Sequence, residues 1–155
     1  LTGKEPSCIV VSRQTLPNLE GTGEKAFMGG YVLCDSDKKV PDAIIIATGS
    51  EVSLAVKAKA ELKAEGIDVR VVSMPCVEEF EKQSEKYKES VLPKNVRARV
   101  AVEAGASMPW FKYAGLDGKV IGVNEYGISG PAKQLFNHYG FTAENVKAAA
   151  LEIVK

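Results

Sequence analysis

The stretch "DAIIIATGS", residues 42 to 50, constrains the fold of this chain more than any other. It is a continuous β-branched run ending in a small-residue turn, and a strand apolar on both faces must be covered on both, as a central strand of a parallel or mixed sheet is. The next segment has a helical period. Ser50 is the expected N-cap and Glu51 puts a negative charge in the first turn. Val52, Ala55, Val56, Ala58 and Leu62 form an apolar stripe that Gly66 terminates. "DVRVVSM", residues 68 to 74, is a further strand that stops at Pro75, because proline has no N–H to give to a ladder. Residues 42 to 74 therefore read as one βαβ unit, with a right-handed crossover expected.

The same alternation extends in both directions. Residues 7 to 12 are a strand candidate, followed by a linker-like stretch from Thr15 to Glu24, and "GGYVLCD" (29 to 35) holds a short strand. Residues 77 to 92 are mostly charged and predict one or two exposed helices, with Val77, Phe80, Tyr87 and Val91 facing inward. Strands are expected within 98–105 and 119–124, and a short helix begun by Pro109 between them. Another helix is expected over 130–140 with Pro131 at its first position and Gly140 as its stop. Thr142 caps the last helix, which turns Val146, Ala150, Ile153 and Val154 to one side. The fold class is α/β, a largely parallel sheet with helices on both faces.

Composition narrows the function. At 155 residues and 45% hydrophobic, the chain suffices for one ordinary core. Twenty basic residues balance twenty acidic ones, so no net field favours nucleic acid or an anionic membrane. No apolar stretch approaches the ~20 residues of a membrane span, and no signal peptide is recognisable. Cys8, Cys34 and Cys76 are far apart and His138 is the single histidine, a poor basis for a zinc site and consistent with reduced thiols in a cytoplasmic protein. Leu1 in place of Met, ahead of a polar lead, fits a piece of a longer chain, and a processed protein would look the same.

Several residues are candidates for chemistry. "ATGSEV" places Gly49 and Ser50 at a helix N-terminus, which suits an anion, although a tight turn with an N-cap accounts for the same residues. Glu103 closes an apolar strand, as either a carboxyl of raised pKa or one hydrogen-bonded to nearby backbone. His138 sits near a helix end, where partial positive charge is favourable. Trp110, Phe111 and Tyr113 read as core packing before base or sugar stacking. Arg13 comes at the far end of the first strand candidate, on the face of Ile9 and Val11. There a planar five-donor fork suits a phosphate or carboxylate, with a structural salt bridge as the equal alternative.

In order along the chain, "SRQTLP", "GGYVL", "IIATGSEVSLAV", "VRVVSMP", "FEKQ", "YKESVLP", "VAVEAG", "WFKYAGLDGKVIGV" and "YGFTAENV" resemble successive signatures of the transketolase family, from Ser12 to Val146. The resemblance implies a three-layer αβα domain whose mostly parallel five-stranded sheet carries one antiparallel strand. It implies that residues 1–28 are the end of the preceding pyrimidine-binding domain with its linker, and 29–155 the C-terminal domain. For the parent enzyme it implies transfer of a two-carbon ketol unit between ketose and aldose phosphates in the pentose phosphate pathway. Thiamine diphosphate with Mg2+ or Ca2+ would be the cofactors, in a cytoplasmic homodimer with neither nucleic-acid nor membrane partners. The arginine of the "SRQ" motif, Arg13 here, would bind the substrate's terminal phosphate. No residue of this chain matches the family's catalytic or metal-binding positions, so the piece alone is expected to be inactive. "YGISGPA" departs from the family pattern at Tyr126, Ile128 and Gly130. Two other readings remain open: a regulatory anion- or nucleotide-binding module using Gly49 and Ser50, and an assembly module.

Overall fold

The computed structural model describes residue 6 and residues 8–154. Five strands form one mixed sheet: β1 (Tyr31–Cys34), β2 (Ala43–Ala47), β3 (Val69–Ser73), β4 (Arg99–Val102) and β5 (Lys119–Ile121), in the order β1-β3-β2-β4-β5. Strands β2 to β5 run parallel, while β1 is antiparallel to β3, its register broken by a bulge between Val32 and Cys34. The apolar run at 42–50 is the central strand expected of it: every residue of β2 is fully buried.

Among the described residues, six α-helices cover the two faces. Helix α1 (Val52–Ala64) and helix α6 (Ala143–Ile153) pack on one, burying Ala55, Ala58 and Leu62 against Val146, Ala149 and Ala150. Phe136 of α5 (Ala132–His138) packs against the same cluster. Helices α2 (Val77–Glu81), α3 (Glu85–Val91) and α4 (Phe111–Ala114) cover the other face, where Phe80, Val91, Trp110 and Tyr113 meet Ile44, Ile46 and Val72. The charged stretch 77–92 is thus two helices, the second capped by Ser84, whose hydroxyl accepts from the Tyr87 N–H. Thr142 caps α6 as expected, accepting from the Asn145 N–H.

Four expectations need correction. Residues 8–12 form no strand: Ile9, Val10 and Val11 are 69%, 90% and 79% exposed, and Ser7 lies outside the described residues. A strand exists only with a partner edge, and this stretch is taken up by neither edge of the sheet. Ser50 is not the cap of α1; residues 49–51 make one 3-10 turn ahead of the helix, and the Ser50 hydroxyl donates to Glu51 Oε1 at 2.8 Å. Pro131 precedes α5 as its N-cap instead of starting it. Phe111 points outward, half exposed, beside the buried Trp110 and Tyr113.

The amino edge of the sheet is closed by its own polar groups. Asp68, before β3, accepts from the Ser36 hydroxyl at 2.8 Å, from the Asp37 and Lys38 N–H groups, and from Lys59 Nζ at 3.2 Å. Arg99 at the start of β4 donates to the carbonyls of Leu92, Pro93, Val96 and Tyr113. Both charged groups are spent on holding loops and helix ends.

Candidate functional site

Because β2 to β5 are parallel, their carboxyl ends lie along one edge. The chain leaves β2 toward β3 on one side, and β4 lies on the other, so the crevice above β2 is the switch point of the sheet. The turns 48–51 and 103–107 follow β2 and β4 there. The segment after Arg13 runs past the same place. Gln14 and Leu16 join Ser50, Ser53, Lys57 and Lys133 around an open cavity of about 530 Å³. Pro17, Asn18 and Leu19 join Gly49, Val52 and Ser73 around one of about 250 Å³. Leu19 is partly buried against the core and anchors the segment.

Arg13 itself is exposed and lines neither cavity. It makes no hydrogen bond or ion pair to another described residue, so its fork of donors remains available to a ligand or to another part of a larger protein. Gly49 and Ser50 are in a different situation. Gly49 has φ +55°, a left-handed conformation that lets the chain turn sharply off β2. The turn then folds Glu51 inward, where it is only 3% exposed and takes the Ser50 hydroxyl. The negative charge at this helix start belongs to the chain, and the anion- or nucleotide-module reading gains no support from it.

Of the two readings of Glu103, the structure favours the carboxyl of raised pKa: the side chain is half-buried at the end of β4. Its Oε2 is shielded from solvent and has no hydrogen-bond partner, and burial, followed by the nearby Glu51, pushes its pKa up to about 7. Burial also raises the pKa of Glu51, against the opposing hydrogen bond from Ser50. Glu51 escaped notice as an interior residue, yet it stands on the line of Ala55, Ala58 and Leu62, at steps of four, three and four, and that spacing marks the buried side of α1. His138 ends α5, exposed, with Nε2 3.9 Å from Glu125 Oε1, and it approaches none of these groups. Cys8, Cys34 and Cys76 are free thiols. Among the described residues no group of three or more His, Cys, Asp or Glu side chains converges as a metal site would require.

Comparison with known proteins places this geometry in context. Residues 29–142 match the family described as the transketolase-like C-terminal domain. Transketolase 1 of Vibrio parahaemolyticus is 52% identical over 152 residues, which are 96% of this chain and 23% of that protein. The transketolase of Bacillus subtilis is 48% identical over 145 residues, 91% of this chain and 22% of that protein. Among solved structures, the Pichia stipitis transketolase in complex with sedoheptulose-7-phosphate superposes with a TM-score of 0.83 at 45% identity, over 92% of this chain and 20% of that one. Transketolase from Leishmania mexicana gives 0.84 at 38% identity, with the same coverage. The chain thus spans under a quarter of the length of these relatives.

Proposed function

This chain belongs to the transketolase family, as its C-terminal domain, and from that premise we propose that it serves an enzyme moving a two-carbon ketol unit between ketose and aldose phosphates. In that enzyme Arg13 grips the terminal phosphate of the sugar. The observation that carries this reading is the state of Arg13: an exposed guanidinium with no partner among the described residues, on the segment that passes the carboxyl edge of the sheet. A planar fork of N–H donors matches a phosphate bidentately. Held far from the reacting carbon, it supplies orientation and binding energy that the transferred unit itself cannot.

Residues 1–28 are proposed to close a preceding pyrimidine-binding domain and link it to the C-terminal domain at 29–155. Two observations favour this division: the family match begins at residue 29, and the apolar Ile9, Val10 and Val11 have no cover from the sheet. Thiamine diphosphate and a divalent cation belong to the proposed parent, whose other parts would hold them. The parent is read as a cytoplasmic homodimer; no described helix is long and apolar enough to cross a membrane.

The test is steady-state kinetics of the full-length parent carrying Arg13→Ala, with phosphorylated and unphosphorylated ketose donors side by side. A selective rise in KM for the phosphorylated donors is expected. Equal losses for both would refute the phosphate grip.

A further inference from the structure

We infer that Leu19 is a positioning residue for the phosphate grip: seated at the carboxyl ends of β2 and β3, it fixes the segment that carries Arg13. The inference rests on the role proposed for Arg13 and adds how that side chain is held. Of residues 8–25, only Leu19 is not exposed. Its apolar neighbours on the segment, Ile9, Val10, Val11 and Leu16, all stay outside. Leu19 packs instead against the core cluster that contains Ala47 and Val52. The small cavity it lines is shared with Gly49 and Val52, which follow β2, and with Ser73, the last residue of β3 and the register partner of Ala47.

Leu19 is also where the chain first becomes fixed downstream of Arg13. Residues 8–18 make no hydrogen bond to any other described residue. The Leu19 carbonyl, by contrast, accepts the Thr22 N–H at 3.3 Å and the Thr22 hydroxyl at 2.7 Å, which closes a turn over 19–22. At Gly21 in that turn φ is +85°, and an added Cβ would stand 3.1 Å from the Leu33 carbonyl oxygen of β1, so the turn lies close against the sheet. Arg13 is six positions upstream of Leu19, a span of about 20 Å at most. Pro17 stiffens that span, because its ring locks its own φ and biases Leu16 away from the helical region. A short, stiff tether passes a displacement of its anchor on to Arg13, and a shift of about 1 Å is enough to spoil a bound geometry.

Steady-state kinetics of the full-length parent, with phosphorylated and unphosphorylated ketose donors, test this in Arg13→Ala, Leu19→Ala and the double variant. Leu19→Ala should raise KM for phosphorylated donors roughly 10-fold and leave unphosphorylated donors within about 2-fold. Leu19→Met, which nearly keeps the volume, should restore the wild-type KM. Added to Arg13→Ala, Leu19→Ala should raise KM no further, because the anchor acts through the arginine, and additive losses would overturn that. Val146 is fully buried in the same core cluster but off the tether, so Val146→Ala should lower the melting temperature without separating the donors. If Leu19→Ala treats both donor classes alike while Arg13→Ala separates them, Arg13 is held from its upstream side and the inference is wrong. If Arg13→Ala does not separate them either, the grip itself fails and this inference falls with it. Should Leu19→Ala fail to fold, the smaller truncation Leu19→Val decides: a selective rise in KM of about 3-fold supports the anchor, and equal effects on both donors refute it.

Discussion

The Tyr113 hydroxyl donates to Glu81 Oε1 at 2.8 Å, joining α4 to α2 over the second face of the sheet. Lys112 Nζ reaches the other Glu81 oxygen at 2.9 Å. Lys112 and then Tyr113 hold the Glu81 carboxyl below its usual range, while burial and then Glu81 raise the Tyr113 hydroxyl. Tyr113→Phe should cost about 1 kcal/mol, the net worth of one such bond. Urea denaturation at pH 7 reads that loss. The Glu81 carboxyl should titrate at higher pH in the variant, visible by NMR, and an unchanged titration would mean that the bond has no electrostatic effect.

Asp68 governs acid stability. Burial works against its charge, but the hydrogen bonds from Ser36, Lys59 and the Lys38 and Asp37 N–H groups prevail and bring its pKa down to about 2. A depressed carboxyl contributes stability that is present above its ordinary value and lost as pH falls through the folded one. Asp68→Asn should cost about 3 kcal/mol at pH 7, because it leaves the mostly buried Lys59 without its counter-charge. It should also flatten the wild-type loss of stability between about pH 4 and pH 2, as measured by denaturant midpoints across that range.

Gly29 admits no side chain. Its φ is +81°, and a Cβ there would lie 2.2 Å from the Phe80 nitrogen and 2.4 Å from the Cys76 carbonyl oxygen. The Cys76 N–H donates to the Gly29 carbonyl at 2.9 Å, so the start of α2 is sealed against this residue. Gly29→Ala should destabilise the chain by roughly 3 kcal/mol or more, whereas Gly66→Ala should lose about 1 kcal/mol, since φ is positive there but the space is open. Comparable losses at the two sites, by thermal or urea melting, would show that crowding at Gly29 is relieved elsewhere.

For Arg13, charge-assisted hydrogen bonds set the scale. In the full-length parent, Arg13→Ala should lower kcat/KM for phosphorylated donors by roughly 10- to 100-fold, and leave unphosphorylated donors within about 3-fold. Arg13→Lys keeps the charge without the fork and should fall between the two. A lysine variant as poor as the alanine one would indicate that planar geometry alone matters.

Local periodicity was enough to read β2, α1, β3 and the Thr142 cap, because a strand covered on both faces and a helix with one apolar stripe each write their burial into neighbouring residues; over 77–92 it left one helix or two open, and the structure has two. The family resemblance supplied the rest of the architecture, including the antiparallel strand. What the sequence could not settle was pairing. Residues 8–12 have the composition of a strand and find no edge, Ser50 has the chemistry of a cap and serves Glu51, and Phe111 sits among core aromatics and faces outward. Glu51 and Glu103 stand far apart along the chain, and only the register of β2 with β4 brings them to the same edge of the sheet. Hydrogen-bond partners and desolvation are set by neighbours distant in sequence, so these outcomes belonged to the tertiary structure.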